Sequence, residues 1–257
     1  MNFITGHFFK SICDYVLDEH GFRENQSVKS NNCPTFFVKT DYIHLFFNSN
    51  QLPNYEFNLI THNSDHGINH NHKHYLEYSY LKTWYAQNVD YAHSKLVPIP
   101  IGIANIEWPH GDVDILQNTF NINYNKEFIL YANFNVHTNL KQRSLCLQNI
   151  DSQYFENNIS FHEYTTKLAK TYFNVCPLGN GIDSHRIWES LYLKAIPIAE
   201  NTYNIRYLKE KHQLPIYTIE HWSDIKNIHF TPELYNSLWH NFDSNQLDAN
   251  VFKETII

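Results

Sequence analysis

A glycine-bearing loop followed by a short helix holds the residues whose types and spacing are best suited to chemistry. Residues 174–198 read NVCPLGNGIDSHRIWESLYLKAIPI, in which Gly179 and Gly181 flank one asparagine. Glycines let a backbone turn tightly and bring its N–H groups close to a ligand. Arg186 falls in the first turn of the following helix, where a cation opposes the positive end of the helix dipole. An anionic ligand reverses that sign, so the pattern predicts a phosphate held by the loop and clamped by Arg186.

The same helix carries a carboxylate one turn further on. Glu189 is placed to accept hydrogen bonds from a ribose diol, and its spacing from Arg186 predicts that the two are neighbours on the exposed side. The apolar side is formed by Ile187, Trp188, Leu191 and Tyr192, with Asp183 or Ser184 as the N-cap. A second interpretation stays open, namely a glycine turn before an ordinary amphipathic helix with a surface Arg–Glu pair.

Composition indicates a folded, acidic protein. The chain has 257 residues, a net charge of −7, 42% hydrophobic residues and 16% aromatic residues. This length is typical of two domains or one large α/β unit, and the apolar content excludes a disordered protein. With 19 basic against 26 acidic residues, a broad nucleic-acid or anionic-membrane surface is not expected. Any phosphate is therefore expected to be bound locally.

The cysteines and the N-terminal stretch bear on the compartment. The four cysteines lie far apart and form no Cys-x-x-Cys pair, so neither a zinc site nor a disulfide framework is predicted. No apolar core precedes Lys10 and Asp14, and no stretch approaches roughly 18 apolar residues. The pattern therefore predicts no secretion signal, no membrane span and a cytoplasmic protein, and it leaves the oligomeric state open.

The elements that must position the candidate residues alternate between strands and helices. In the first half, the pattern predicts a helix at 7–18, strands at 35–38, 42–47 and 57–60, a helix at 78–86 and an extended edge strand at 95–103. After a polar connection at 107–124, it predicts strands at 127–132, 171–176, 195–199 and 214–218, with helices at 133–143, 161–169, 205–211 and 231–252. Such alternation predicts a parallel sheet covered on both faces.

Several segments resemble one enzyme family. The run GNGIDSHRIWESL at 179–191, followed by AIPI at 195–198, resembles the C-terminal domain of exostosin-like glycosyltransferases, family 47 in the broad sense. Within that family the chain looks most like the small stand-alone xylosyltransferases of large algal viruses. Three further segments fit the resemblance: THNSD at 61–65, WYAQN at 84–88 with PIPIGI at 98–103, and YANFN at 131–135 with Thr138, Asn139 and Arg143. Lys194-Ala195 departs from it, because many relatives have a glycine there, and we expect a changed helix end rather than changed chemistry.

The resemblance implies a fold and a reaction. The fold is α/β of the GT-B type, with two Rossmann-like domains facing a cleft: an acceptor-side domain at 1–120 and a nucleotide-sugar domain at 121–257. The reaction is inverting transfer of a sugar from a nucleotide donor, expected to be a UDP-sugar, to a hydroxyl of a glycan acceptor. The resemblance places Arg143 and Arg186 at the diphosphate, Glu189 at the ribose, and Asp183 and His185 near the donor sugar. The other expected donor-site residues are Asn133, Thr138, Gly179, Asn180 and Gly181.

Asp65 is the predicted catalytic base. It follows the strand at 57–60 in a polar loop, and ligands of open α/β sheets lie beyond the carboxyl ends of strands. An inverting transferase needs one base to take the proton from the acceptor hydroxyl. An Asx-type turn before Gly67 is an equally good interpretation of Asp65. Glu107 and Asp112 are the reserve carboxylates.

Side chains around Asp65 are expected to contact the acceptor. These are His62, Asn63, His66 and Trp84, with Tyr85 and Trp108 as further stacking candidates, although aromatic residues more often fill a core. Histidines at 66, 70, 72 and 74 have a spacing that can bind zinc or copper, but the intervening Asn and Lys favour a solvated loop. Cationic side chains and loop N–H groups can stabilise a leaving diphosphate in place of a metal, so we predict no metal and no cofactor beyond the nucleotide sugar.

Two other functions compete with this prediction. A nucleotide-binding epimerase or dehydrogenase is disfavoured, because no Gly-x-Gly-x-x-Gly follows the first strand. A non-catalytic glycan-binding module on the same fold remains open. The two surviving functions differ in nucleotide binding, which a lectin does not need.

Overall fold

Two largely parallel sheets form the framework of the protein, and the computed structural model describes residues 1–28 and 33–257. The first sheet contains β1 (Tyr15–Asp18), β2 (Gly21–Glu24), β3 (Thr35–Lys39), β4 (Phe57–His62), β5 (Leu81–Ala86) and β6 (Leu96–Pro98), in the order β2-β1-β3-β4-β5-β6. The second contains β7 (Phe128–Ala132), β8 (Thr171–Val175), β9 (Ile196–Glu200) and β10 (Tyr217–Ile219), in the order β10-β9-β8-β7. Only the pairing of β1 with β2 is antiparallel within these described strands.

The helices connect and cover these strands. They are α1 (Gly6–Ser11), α2 (Ile43–Phe47), α3 (Lys73–Leu76), α4 (Val113–Asn121), α5 (Leu140–Leu147), α6 (Phe161–Ala169), α7 (His185–Tyr192), α8 (Tyr203–His212), α9 (Pro232–Trp239) and α10 (Ala249–Ile256). In the ranges that the structure describes, none of them combines the length and the apolar character that a bilayer crossing requires. All four cysteines are free.

The α/β class and the parallel sheets are confirmed. The predicted strands at 35–38, 57–60, 127–132, 171–176 and 195–199, and the helix at 161–169, lie within a few residues of observed elements. Several predictions in the first half were wrong: 42–47 forms α2, 78–86 contains β5, and 7–18 divides into α1 and β1. Short apolar runs do not distinguish a strand from a buried helix, because both are simply apolar. The expected connection at 107–124 contains α4, and the tail at 231–252 divides between α9 and α10.

The first sheet contacts different elements on its two faces, because successive side chains of a strand point in opposite directions. Phe36 and Val38 of β3 pack with residues of α2 and α3. Phe37 faces the other way, into a core that also contains Phe252 of α10 and Trp188 of α7. We call this second cluster the shared core, since both halves of the chain contribute to it.

Hydrogen bonds also connect the two halves of the chain. The Tyr85 hydroxyl donates to the carbonyl of Thr255 in α10 at 3.2 Å, and the Ala249 amide donates to the Asn2 carbonyl at 2.9 Å. The last helix therefore packs on the first sheet although it lies in the predicted second domain. The division into 1–120 and 121–257 stays a prediction.

Candidate functional site

A cavity of about 1220 Å³ lies where the carboxyl ends of strands from both sheets meet. Its walls include His62 at the end of β4, Gln87 after β5, Asn133 after β7 and Gly179 after β8. Ligands of parallel sheets bind beyond the carboxyl ends of the strands, where loops converge. This cavity is therefore the candidate site.

Arg143 of α5 supplies one cation on the second-half wall. Its side chain is 3% exposed; Nε donates to the Leu178 carbonyl at 2.9 Å, and Nη1 donates to the Asn135 carbonyl at 2.6 Å. A Cβ added to Gly179 would lie 3.3 Å from Nη2, so the glycine leaves room for the guanidinium. Burial, together with the charge of Arg186, lowers the pKa of Arg143 to about 10, which leaves it charged at neutral pH.

Arg186 supplies the second cation, from the first turn of α7. Its Nε donates to the carbonyl of Asn133. No carboxylate of residues 1–28 or 33–257 lies within 4.0 Å of the guanidinium of Arg143 or Arg186. Two like charges in one partly buried cavity repel each other, and Arg186 also opposes the positive end of the α7 dipole. An anion bound between the two guanidiniums would offset both the charge repulsion and the unfavourable interaction with the helix dipole.

Glu189 is buried rather than exposed, which corrects the expectation of a surface pair with Arg186. It is 3% exposed, lines the cavity, and accepts a hydrogen bond from the Tyr164 hydroxyl at 2.8 Å. Burial raises the pKa of Glu189, and the charge of Arg186 opposes that rise. The helical period shows which side of α7 is polar, but it does not show that α6 and its Tyr164 cover that side.

Asp183 fixes the start of α7 against the first half of the chain. Its carboxylate accepts from the Ile101 amide at 2.9 Å, from the Ser184 amide at 2.7 Å and from Trp188 Nε1 at 3.1 Å. Its own amide donates to Asn88 Oδ1 at 2.9 Å. Burial raises the pKa of Asp183 to about 6 while these donors oppose the rise, so the side chain is ionised at neutral pH. Asp183 lines the cavity, but its oxygens are already engaged by the protein.

Two cavity histidines are held neutral. His62 Nδ1 accepts from the Asn63 amide at 2.8 Å, so the proton sits on Nε2, which donates to the Pro100 carbonyl at 3.0 Å. His185 Nδ1 donates to the Gly102 carbonyl at 2.7 Å. Burial lowers the pKa of both imidazoles to about 4. They therefore act as fixed dipoles, not as charges, at neutral pH.

Asp65 is exposed to the cavity and reaches across to the glycine loop. Its Oδ2 accepts from Asn180 Nδ2 at 2.9 Å, which joins the two walls. The turn before Gly67 uses a neighbouring side chain, because the His66 amide donates to Ser64 Oγ at 3.1 Å. The carboxylate of Asp65 is thus directed at the cavity and away from its own turn.

All of the predicted site residues except Trp84 and the further stacking candidate Tyr85 line this cavity, and their individual roles stay predictions. Trp84 is fully buried in the core of the first sheet, where Nε1 donates to Thr61 Oγ1 at 2.9 Å. The expectation that it stacks on an acceptor sugar was wrong, because β5 points it into the core. Of the reserve carboxylates, Glu107 lines the cavity, whereas Asp112 caps α4 through the Ile115 amide at 3.0 Å.

Asn88 was missed as a site residue. It follows β5 and lines the cavity, and, like Asn63 after the neighbouring β4, it has a left-handed backbone, with φ of 56° and 59° respectively. Asparagine tolerates this conformation better than most residues. A Cβ added to Gly181 would lie 2.4 Å from Asn88 Nδ2, so the first half packs directly on the glycine loop. Because a helix was predicted at 78–86, the position of Asn88 at the carboxyl end of a strand was not recognised.

The end of α7 explains the departure at Lys194. This residue has φ of 59°, and its amide donates to the Leu191 carbonyl at 3.2 Å. A left-handed residue after a helix is most often glycine, since a Cβ is disfavoured there by roughly 1–2 kcal/mol. The helix still ends in the way that a glycine favours, and Lys194 carries the strain.

The histidine-rich loop at 66–74 was a candidate for metal binding. Across 1–28 and 33–257, the structure brings together no group of three or more His, Cys, Asp or Glu that could hold a metal ion. The His70 and Tyr91 rings stack with their centroids 4.4 Å apart, and His72 Nδ1 accepts from the Asn69 amide at 3.2 Å. These two imidazoles are occupied in local contacts.

A comparison with protein families bears on the chemistry of this cavity. Residues 122–235 match the family model described as the RXYLT1 C-terminal domain. The match supports a glycosyltransferase. It includes Arg143, the glycine loop and Arg186, and it spans 114 of 257 residues, so most of the first-half wall lies outside it. No curated protein matches the chain.

Proposed function

We propose that the protein is an inverting glycosyltransferase of the GT-B type that moves a sugar from a UDP donor to a glycan hydroxyl. The observation that carries the proposal is the pair of guanidiniums, Arg143 and Arg186, that share one cavity with no carboxylate of the described residues within 4.0 Å. A diphosphate supplies the missing negative charge. Guanidinium groups bind phosphate oxygens through paired, charge-assisted hydrogen bonds.

The remaining donor contacts follow from the same wall. Amides of the loop from Gly179 to Gly181 face the diphosphate, and Glu189, held by Tyr164, accepts hydrogen bonds from the ribose hydroxyls. Asn133, Thr138 and Asn180 line the donor side, and Asp183 and His185 lie near the transferred sugar. Two parallel sheets whose carboxyl ends border one cavity support the GT-B arrangement.

Asp65 acts as the base in the proposed reaction. It takes the proton of the acceptor hydroxyl as the hydroxyl oxygen attacks the anomeric carbon from the side opposite the nucleotide. The bond from that carbon to the phosphate oxygen breaks, and its electron pair leaves with UDP. Arg143 and Arg186 stabilise the negative charge that develops on the diphosphate, and the sugar emerges with inverted configuration.

A thermal-shift series tests the donor site. UDP at about 100 times its dissociation constant should add roughly 2.7 kcal/mol of stability, because it binds only the folded state. Arg186→Gln should abolish that shift, whereas Arg206→Gln, an exposed arginine of α8 outside the cavity, should keep it. The proposal fails if no nucleotide diphosphate raises the melting temperature.

Turnover then identifies the reaction. The full chain is incubated with UDP-xylose, UDP-glucose, UDP-galactose or UDP-N-acetylglucosamine, and UDP release is measured with and without acceptor glycosides. A glycan-binding module on the same fold should bind glycosides, release no UDP and show no nucleotide-dependent shift.

A further inference from the structure

Trp108 is the exposed tryptophan of this protein. It is 57% exposed, whereas Trp84, Trp188 and Trp222 are buried and Trp239 is partly buried, so all five tryptophans are accounted for. Trp108 also lines the cavity. A large indole left in water at the edge of a polar cavity offers an apolar face to a ligand.

The loop that carries Trp108 is rigid. The Trp108 amide donates to the Asn105 carbonyl at 3.0 Å, and the Gly111 amide donates to the Trp108 carbonyl at 2.8 Å, which forms two successive turns. A Cβ added to Gly111 would lie 1.9 Å from the Asn105 carbonyl oxygen, so the turns are closely packed. The Asn105 side chain accepts from the His7 amide at 3.0 Å, which attaches the loop to α1. The backbone that carries the indole is therefore fixed before any ligand arrives.

The residue before Trp108 belongs to a pair of polar side chains suited to sugar hydroxyls. Glu107 Oε1 lies 3.1 Å from His7 Nε2, and both side chains are about half exposed and line the cavity. A carboxylate accepts hydrogen bonds from hydroxyls, and an imidazole can donate or accept them. An apolar platform beside such groups matches a sugar ring, which has an apolar C–H face and a rim of hydroxyls.

We propose that Trp108, with the Glu107–His7 pair, forms the subsite for the acceptor sugar, an inference that rests on the proposed function. The ring packs on the indole, and its hydroxyls bond to Glu107 and His7. The acceptor is assigned here because this loop and α1 belong to the first half, whereas Arg143 and Arg186, the proposed diphosphate ligands, come from α5 and α7.

Acrylamide quenching of tryptophan fluorescence tests the subsite in the full chain, because the other tryptophans are wholly or partly shielded from the quencher. The probes are methyl β-glycosides of xylose, glucose, galactose and N-acetylglucosamine, added with saturating UDP, and, in a separate series, the UDP-sugars of the same four sugars without glycoside. At least one should reduce quenching in the parent and in Ile106→Ala, whose side chain is 71% exposed in the same loop but outside the cavity. In Trp108→Ala the glycoside-dependent change should disappear.

Kinetics give a second readout. Trp108→Ala should raise the KM for the glycoside about tenfold, equivalent to roughly 1.4 kcal/mol, with the UDP affinity unchanged. Trp108→Phe should recover most of that loss, because a smaller aromatic face remains.

The possible outcomes separate the subsite from the proposed function. UDP binding without protection by any glycoside overturns the subsite and leaves the donor site standing. Protection without UDP binding overturns the transferase, and Trp108 then belongs to a glycan-binding site rather than to an acceptor subsite. Protection by a UDP-sugar alone, beyond that given by UDP, assigns the ring on Trp108 to the donor and overturns the acceptor assignment.

Discussion

Replacing Asp183 with alanine tests whether its hydrogen bonds hold the two halves together. The change leaves three donors without their acceptor: the buried Ser184 amide and Trp188 indole N–H, and the part-buried Ile101 amide. At about 2 kcal/mol for each unsatisfied donor, the three cost about 6 kcal/mol. The change also removes a buried charge.

The free energy regained by removing that buried charge is smaller than the free energy lost with the hydrogen bonds. The pKa of Asp183 rises from 3.8 to about 6, and this shift of about 2 units corresponds to roughly 3 kcal/mol against the ionised form. The net effect of Asp183→Ala is therefore a loss of about 3 kcal/mol of unfolding free energy. For a chain of this size, that lowers the melting temperature by roughly 6–12 °C.

Urea denaturation at pH 7.5, where the carboxylate is ionised, measures this loss. Asp112→Ala is the matched control, because Asp112 only caps α4 and its replacement should cost about 1 kcal/mol. If Asp183→Ala is no less stable than Asp112→Ala, the hydrogen bonds of Asp183 outweigh the cost of burying its charge by no more than a helix cap contributes, and the expected loss of about 3 kcal/mol is wrong.

Four further outcomes follow from individual residues. Asp65→Asn should lower transfer on the order of 100- to 10,000-fold with the UDP dissociation constant unchanged; transfer within a few-fold of the parent would direct attention to Glu107. Glu189→Gln should weaken UDP about tenfold by calorimetry but leave inorganic pyrophosphate unaffected, and equal losses for both would remove it from the ribose. Burial lowers the folded-state pKa of His62 to about 4. The stabilisation that the neutral imidazole gives the folded state is therefore present above pH 6.5 and declines as the pH falls toward 4. Urea midpoints at pH 7.5 and 5.0 should show a loss of roughly 2 kcal/mol from this residue that His62→Gln lacks. Lys194→Gly should raise stability by about 1 kcal/mol, and a lower melting temperature would contradict the strain at this helix end.

The sequence was most informative where the signal is local. Gly179, Gly181 and Arg186 lie within one turn and one helix start, so glycine spacing and the helix dipole were enough to select residues that line the cavity, and their binding of an anion stays a prediction. Asp65 likewise follows a strand whose apolar run was clear. The structure places all four of these residues on the same cavity.

Features set by tertiary packing could not be predicted in this way. Glu189 is buried because α6 covers the polar side of α7, and nothing in the period of α7 specifies that neighbour. Trp84 and Trp108 are both aromatic residues near polar motifs, but β5 turns the first into the core and two tight turns hold the second in the cavity. The sequence did not show which of the two indoles lines the cavity, because that depends on the path of the folded chain.

The shared core has a consequence for how the protein folds. The connecting helices α2 and α3 pack on one face of the first sheet, and α6, α7 and α8 pack on the face of the second sheet that borders the shared core. The free face of the first sheet is covered by α1, by α10 and by helices of the second half, through residues such as Trp188 and Leu208. Neither half therefore has a complete apolar interior of its own. We expect the chain to unfold in one cooperative transition, and a fragment limited to 122–235 to expose the apolar faces of α7 and α8 and to aggregate.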